Sequence, residues 1–188
     1  VQMQGPAVPK VGDRWEYELR DVSNRRTTRP VVEIGKVGPD GILENIALDA
    51  TSAVTLQHGP GAYLSGAGLV QLSPYLMAYG DPATAAADAV TTTRFPDCEG
   101  VRNCTIEFKV RGAESVTVPG GTFEAVRVDV TIVGVNGGAA SFGRNFALEF
   151  SAWYARAARR VVKLRGEARG VNAIMPNFEM TLQSMKLQ

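Results

Sequence analysis

Few side chains in this chain are of types that do chemistry, and their spacing argues against most of it. His58 is the one histidine, set beside Gly59-Pro60-Gly61, and no Gly-x-Ser-x-Gly elbow supplies a serine nucleophile. A triad or histidine base would have to rest on His58 alone, so a solvated loop histidine is the better reading. Asp13, Glu16, Glu18, Glu33, Asp129 and Glu149 could pair as acid and base. Most of them fall on the polar side of an alternating strand, where charge is expected anyway. No Gly-Lys-Ser/Thr follows the glycines near 59–68, which excludes a phosphate loop of the nucleotide-binding type.

Cys98 and Cys104 frame the polar stretch Asp97-Cys98-Glu99-Gly100-Val101-Arg102-Asn103-Cys104. Two cysteines and one histidine are too few for a four-ligand zinc site, so neither a metal nor a cofactor is expected. The separation is also wrong for a redox pair, which has two intervening residues. A structural disulfide is favoured, because a small loop readily brings Cα atoms within about 7 Å. It would place the protein in an oxidising compartment, periplasmic or otherwise exported. Two free thiols in a cytosolic protein are the alternative.

Two basic clusters stand out. Arg25, Arg26 and Arg29 crowd one turn; Arg156, Arg159, Arg160, Lys163 and Arg165 crowd another turn and its following strand. Guanidinium groups match phosphate or carboxylate bidentately, so an anionic headgroup is one candidate ligand. Solvation and protection of a sheet edge are the plainer use. Nucleic acid is excluded as a partner: 20 Lys+Arg against 19 Asp+Glu leave the chain almost neutral, and no aromatics interleave with the arginines. No run reaches the roughly 18–20 apolar residues that span a bilayer as a helix. The chain opens Val1-Gln2-Met3-Gln4-Gly5-Pro6 with no charged-then-apolar leader, as a trimmed mature protein would.

The elements that must position these groups are strands. From Val116 to Val130 the chain reads strand, Pro119-Gly120-Gly121 turn, strand, with apolar and polar residues alternating. Trp15, Tyr17 and Leu19 alternate with Glu16, Glu18 and Arg20 in the same way. Pro30 to Val37, Ile42 to Leu48 and Thr51 to Leu56 complete a four-stranded meander. Ile106 to Val110, Val126 to Ile132, Phe146 to Phe150 and Val162 to Leu164 continue it. The last strand starts after Pro176, and its pattern slips near Ser184, predicting a bulge or an edge. Residues 1–12 read as an extended lead-in and 13–188 as a single β domain with a long loop at about 80–103. Leu69 to Tyr79 reads as a short helical or irregular lid. The expected fold is all-β, a strongly curved antiparallel sheet or open barrel.

Some of these residues carry a resemblance. Val118-Pro119-Gly120-Gly121-Thr122-Phe123, then Trp153-Tyr154 and the Val161-Val162-Lys163 strand, resemble a group of exported bacterial domains of unknown function. Those domains carry Val-Pro-Ala-Gly-Thr-Phe, Trp-Tyr-Ala-Pro and Gly-Val-Val-Lys, and often open on Gly-Asp-x-Trp-x-Tyr, here Gly12 to Tyr17. The chain departs from the group at Ala155 to Arg160, where the group has a Pro-Gly turn. The resemblance implies a curved sheet similar to the periplasmic lipoprotein-carrier fold, and no catalytic residue carries over.

A curved sheet with one apolar face must cover it with a helix, a second sheet or a ligand. The expected function is a non-catalytic binding or carrier module holding an apolar ligand or partner segment on its concave face. Trp15, Tyr17, Phe146, Phe150, Trp153 and Tyr154 would line it, with Arg156, Arg159 and Arg160 at an anionic headgroup. The alternative is a cell-envelope structural or assembly factor that binds a protein partner at a sheet edge.

Overall fold

The computed structural model describes residues 8–39, 41–58, 90–98, 101–136, 145–169 and 177–188, some strand residues by backbone alone. The segment expected to form the lid, 69–79, lies outside these residues. The strands are β1 (Arg14–Asp21), β2 (Arg26–Thr28), β3 (Val31–Gly38), β4 (Gly41–Ala47), β5 (Ala53–His58), β6 (Val90–Cys98), β7 (Val101–Val118), β8 (Gly121–Asn136), β9 (Asn145–Ala155), β10 (Arg160–Arg169) and β11 (Asn177–Lys186). They join in one antiparallel sheet, ordered β5-β4-β3-β1-β11-β10-β9-β8-β7-β6, with β2 beside β1. The first and last strands therefore meet at its centre, while β5 and β6 end it and do not pair with each other. The sheet is open, not a closed barrel.

Two contacts show how strongly it curls. Strands lie about 4.8 Å apart, so three steps from β11 to β8 would span roughly 14 Å if flat. Yet the Gly120 N–H, in the β7–β8 turn, donates to the Leu182 carbonyl on β11 at 2.9 Å. Arg160 on β10 likewise meets Glu44 on β4, four steps away, at 3.0 Å. Gly120 is glycine because of this closure: a Cβ there would stand 3.1 Å from both the Leu182 carbonyl oxygen and its Cγ.

The buried side of the long strands changes part-way along. On β8, Phe123 and Ala125 are buried, but so are Val128 and Val130, which point to the opposite face. A register shift between Val110 and Gly112 of β7 marks the crossover. Gly112 takes φ 110 there, a left-handed value that suits glycine at a bulge. The main core gathers Trp15, Tyr17, Val32, Ile34, Ile42, Val116, Val118, Phe123, Ala125, Trp153, Ala155, Val162 and Leu182. A second apolar group lies apart from it on the other face. Val110 pairs Val128, Val128 pairs Ala152, Val130 pairs Phe150, and Tyr154 follows on β9.

One expectation needs correction. The stretch 80–103 is not one long loop: 90–98 is β6 and β7 begins at Val101. Its threonines and single Phe95 carry β propensity without the large apolar residues that signal a buried strand. Cys98 and Cys104 therefore sit on a hairpin, with Cys98 opposite Val101 and Cys104 opposite Phe95. Their side chains lie outside the described residues. This register leaves three residues of ladder between them, so a disulfide requires the hairpin tip to depart from it. The expected slip near Ser184 is a bulge: Glu16 pairs Ser184 and Tyr17 pairs Leu182, leaving Gln183 over.

Candidate functional site

Three alternate positions near the start of the chain all reach one turn. Residues Arg156–Ala158 form a single 3-10 turn between β9 and β10, ending at Arg159 with φ 55. The Asp13 carboxylate accepts from Arg159 Nη1 at 3.0 and 2.9 Å through its two oxygens. The Trp15 indole N–H donates to the Ala158 carbonyl at 2.8 Å, and the Tyr17 hydroxyl donates to the Val161 carbonyl at 2.7 Å. The Gly-Asp-x-Trp-x-Tyr opening is thus a clasp on the 156–161 turn. Burial pushes the Tyr17 phenol above its ordinary pKa against the pull of Arg160, so it stays a neutral donor.

Arg160 enters the core beside this clasp. Its Nη2 and Nε donate to Glu44 Oε1 at 3.0 and 3.2 Å, and its guanidinium lies 5.1 Å from the Tyr17 ring centre and 5.6 Å from that of Trp15. β10 is flanked by β9 and β11, so these arginines do not guard a sheet edge. Arg159 and Arg160 face internal carboxylates, and Arg156 is half-buried.

The aromatic residues expected along a groove separate. Trp15, Tyr17 and Trp153 belong to the main core, whereas Phe150 and Tyr154 are buried in the second apolar group. The side chain of Phe146 lies outside the described residues.

A polar concavity of about 560 Å³ adjoins the core on the Trp153 side of β9, lined by Arg111, Asp129, Thr131, Glu149, Ser151, Arg165, Glu167 and Asn177 among others. Ladder register makes it: Asp129 pairs Ser151, which pairs Arg165, and Thr131 pairs Glu149, which pairs Glu167. One row further, the Trp153 ring lies 5.5 Å from Arg127 and 5.1 Å from the Lys163 ammonium, and its N–H donates to Glu114. Of the lining residues, Asp129, Glu149, Phe150 and Arg165 stand out in the sequence. Arg111, Thr131, Ser151, Glu167 and Asn177 occupy the polar positions of ordinary two-faced strands, which carry no distinguishing signal.

Asp129 accepts from Ser151 Oγ at 2.6 Å, Arg111 Nε at 2.6 Å and Arg127 Nε at 2.9 Å. Partial burial acts to raise its pKa, but these hydrogen bonds outweigh it and hold the carboxyl below the ordinary value. A depressed folded pKa adds stability above the unfolded value, near 3.8, that is lost as pH falls through the folded one. Asp129→Asn is therefore expected to flatten the decline of thermal stability below about pH 4, measured as Tm from pH 7 downward. Exposed Asp49, also depressed by Thr51 and Ser52, leaves a residual slope. As a reacting group the pair is quenched: Ser151 donates to a carboxylate already held by two guanidinium groups, which lower its basicity.

No family model and no curated protein matches the chain. Among solved structures, a candidate exported protein with YmcC-like fold from Bacteroides fragilis aligns over 97% of this chain and 100% of its own, at 13% identity and TM-score 0.50. The fold is similar to the YmcC-like one. A candidate lipoprotein from Parabacteroides distasonis aligns over 98% and 100% at 13% identity and TM-score 0.47. The hypothetical lipoprotein YmcC of Escherichia coli aligns over 97% and 89% at 15% identity and TM-score 0.48. Identities this low speak to the fold alone.

Proposed function

We propose that this chain is a non-catalytic exported module that binds an apolar ligand or a partner segment along its curled sheet. The observation that supports it is the second apolar group, Val110, Val128, Val130, Phe150, Ala152 and Tyr154, standing apart from the main core on the other face of β7–β9. The Bacteroides protein of similar fold and the motif resemblance support a periplasmic or otherwise exported location. The ligand-lining set shifts accordingly: Phe150 and Tyr154 remain, while Trp15, Tyr17, Arg159 and Arg160 brace the closed end.

Native mass spectrometry of protein purified from an oxidising compartment tests this. A mass released on denaturation, and lost in Phe150→Asp, supports the carrier reading. A bare monomer from several preparations refutes it. The denatured mass also decides the cysteines, since a disulfide removes two hydrogens.

A second reading, an envelope assembly factor, draws on the sheet edges. β6 carries Arg94, Pro96 and Asp97, residues that discourage pairing, whereas Ala53-Val54-Thr55-Leu56-Gln57-His58 of β5 has neither proline nor Asp, Glu, Lys or Arg. Strand addition at β5 is the form this reading takes.

A further inference from the structure

Three arginines without a strong carboxylate partner line a second concavity, at the opposite end of β1 from the clasp. Arg20, Arg25 and Arg26 surround a hollow of about 350 Å³ at the β1–β2 turn, with Asp21, Val22 and Thr27. Asp21 is its one acid, and the turn engages it. One carboxylate oxygen accepts the Ser23 and Asn24 N–H groups at 3.0 and 3.2 Å, and the other accepts Asn24 Nδ2 at 2.7 Å. Arg20 shares Glu18 with nearby Arg29 at 4.0 and 3.8 Å, long exposed contacts of little strength. Glu179 stands opposite Arg20 in register, yet no ion pair joins them among the described residues. Arg25 and Arg26 have no side-chain partner among the described residues.

The turn is also fixed in place. The Val22 N–H donates to the Asn177 carbonyl at 2.9 Å, and Asn177 Nδ2 donates to Ser23 Oγ at 3.3 Å. Arg25 holds φ 55, a left-handed backbone that glycine or asparagine adopts at lower cost. The fixed turn sets where Arg25 and Arg26 leave the backbone, and their exposed, uncommitted side chains can close on a ligand from there. Three guanidinium groups offer more donors than the two oxygens of a carboxylate use, and they suit a tetrahedral oxyanion.

We propose that the β1–β2 turn is a binding site for a phosphate group, carried either by a free phosphate compound or by a lipid headgroup. Val22, 59% exposed at the same turn, is placed to touch acyl chains in the second case. The site does not rest on the carrier reading, which is decided by bound mass and Phe150.

The test uses the full chain and an Arg25→Asn, Arg26→Ser variant, asparagine being chosen because it tolerates the left-handed backbone. Inorganic phosphate is titrated against the arginine Nε–H signals by NMR, and cosedimentation is measured with phosphatidylglycerol–phosphatidylcholine vesicles and with phosphatidylcholine alone. Expected are saturable shifts confined to Arg20, Arg25 and Arg26, with affinity weakened about tenfold or more in the variant and lost at high salt. Cosedimentation only with the anionic vesicles, abolished in the variant, assigns a headgroup; phosphate shifts without it assign a free phosphate compound. Both support the site. No saturable shift and no anionic-vesicle binding in the wild-type protein overturn it, whatever the variant does; so does equal response in both proteins.

Discussion

Replacing Arg160 with methionine is expected to remove about 3–5 kcal/mol of folding stability, a large part of the roughly 5–15 kcal/mol that holds a domain together. The Arg160 side chain is 6% exposed and that of Glu44 is 1% exposed. Without the guanidinium, the buried Glu44 carboxylate loses its ion-pair partner in a place where water cannot replace it. Glu44→Met should be comparably damaging, because it strands the arginine instead. The double variant should be more stable than either single one, since two apolar side chains of similar length remove both charges. Urea unfolding of the four proteins measures this coupling. Additive losses would show that the pair does not act as a unit. The consequence for function is positional: β4 and β10 are four strands apart in the sheet order, and this pair holds the curl closed at that end.

Period-two alternation made the sheet legible, because a half-buried strand must place one residue in two on its apolar face. Trp15, Tyr17 and Leu19 reported β1 in this way, and the lapse at Ser184 reported the bulge opposite Glu16 and Tyr17. Alternation says which residues share a face, but not what that face meets. Phe123 and Val128 look like one continuous apolar pattern with a small slip, yet they are buried on opposite sides of β8. The meaning of Arg159 and Arg160 was hidden for a related reason. Their partners, Asp13 and Glu44, are 146 and 116 residues away in the chain, and no local spacing encodes such a contact. β6 escaped notice because threonines at an edge strand resemble a polar loop. The Gly-Asp-x-Trp-x-Tyr pattern was visible as a resemblance before its physical reason was: all three side chains reach the 156–161 turn.

That clasp should fail in a defined order. Asp13→Ala is expected to destabilise the protein by about 3–5 kcal/mol, as breaking a buried charge pair does. Asp13 is fully buried, and beyond Arg159 its carboxylate accepts the Lys10 N–H and the Gln188 N–H, each at 2.8 Å. One side chain thus ties the lead-in, the C-terminal residue and the β9–β10 turn together. Arg159→Gly should be milder. It removes the ion pair, but Asp13 keeps both backbone donors, and glycine relieves the left-handed φ of 55 at that position. The Arg159 side chain is also 21% exposed, so water already moderates its charge. Asp13→Asn, which keeps the shape and one acceptor oxygen, should fall between them. Hydrogen exchange gives the local readout: the Lys10 and Gln188 amides should open in Asp13→Ala and stay protected in Arg159→Gly. If Arg159→Gly proved the more damaging of the two, the guanidinium rather than the carboxylate would be the centre of the clasp, and the backbone strain at Arg159 would count for little.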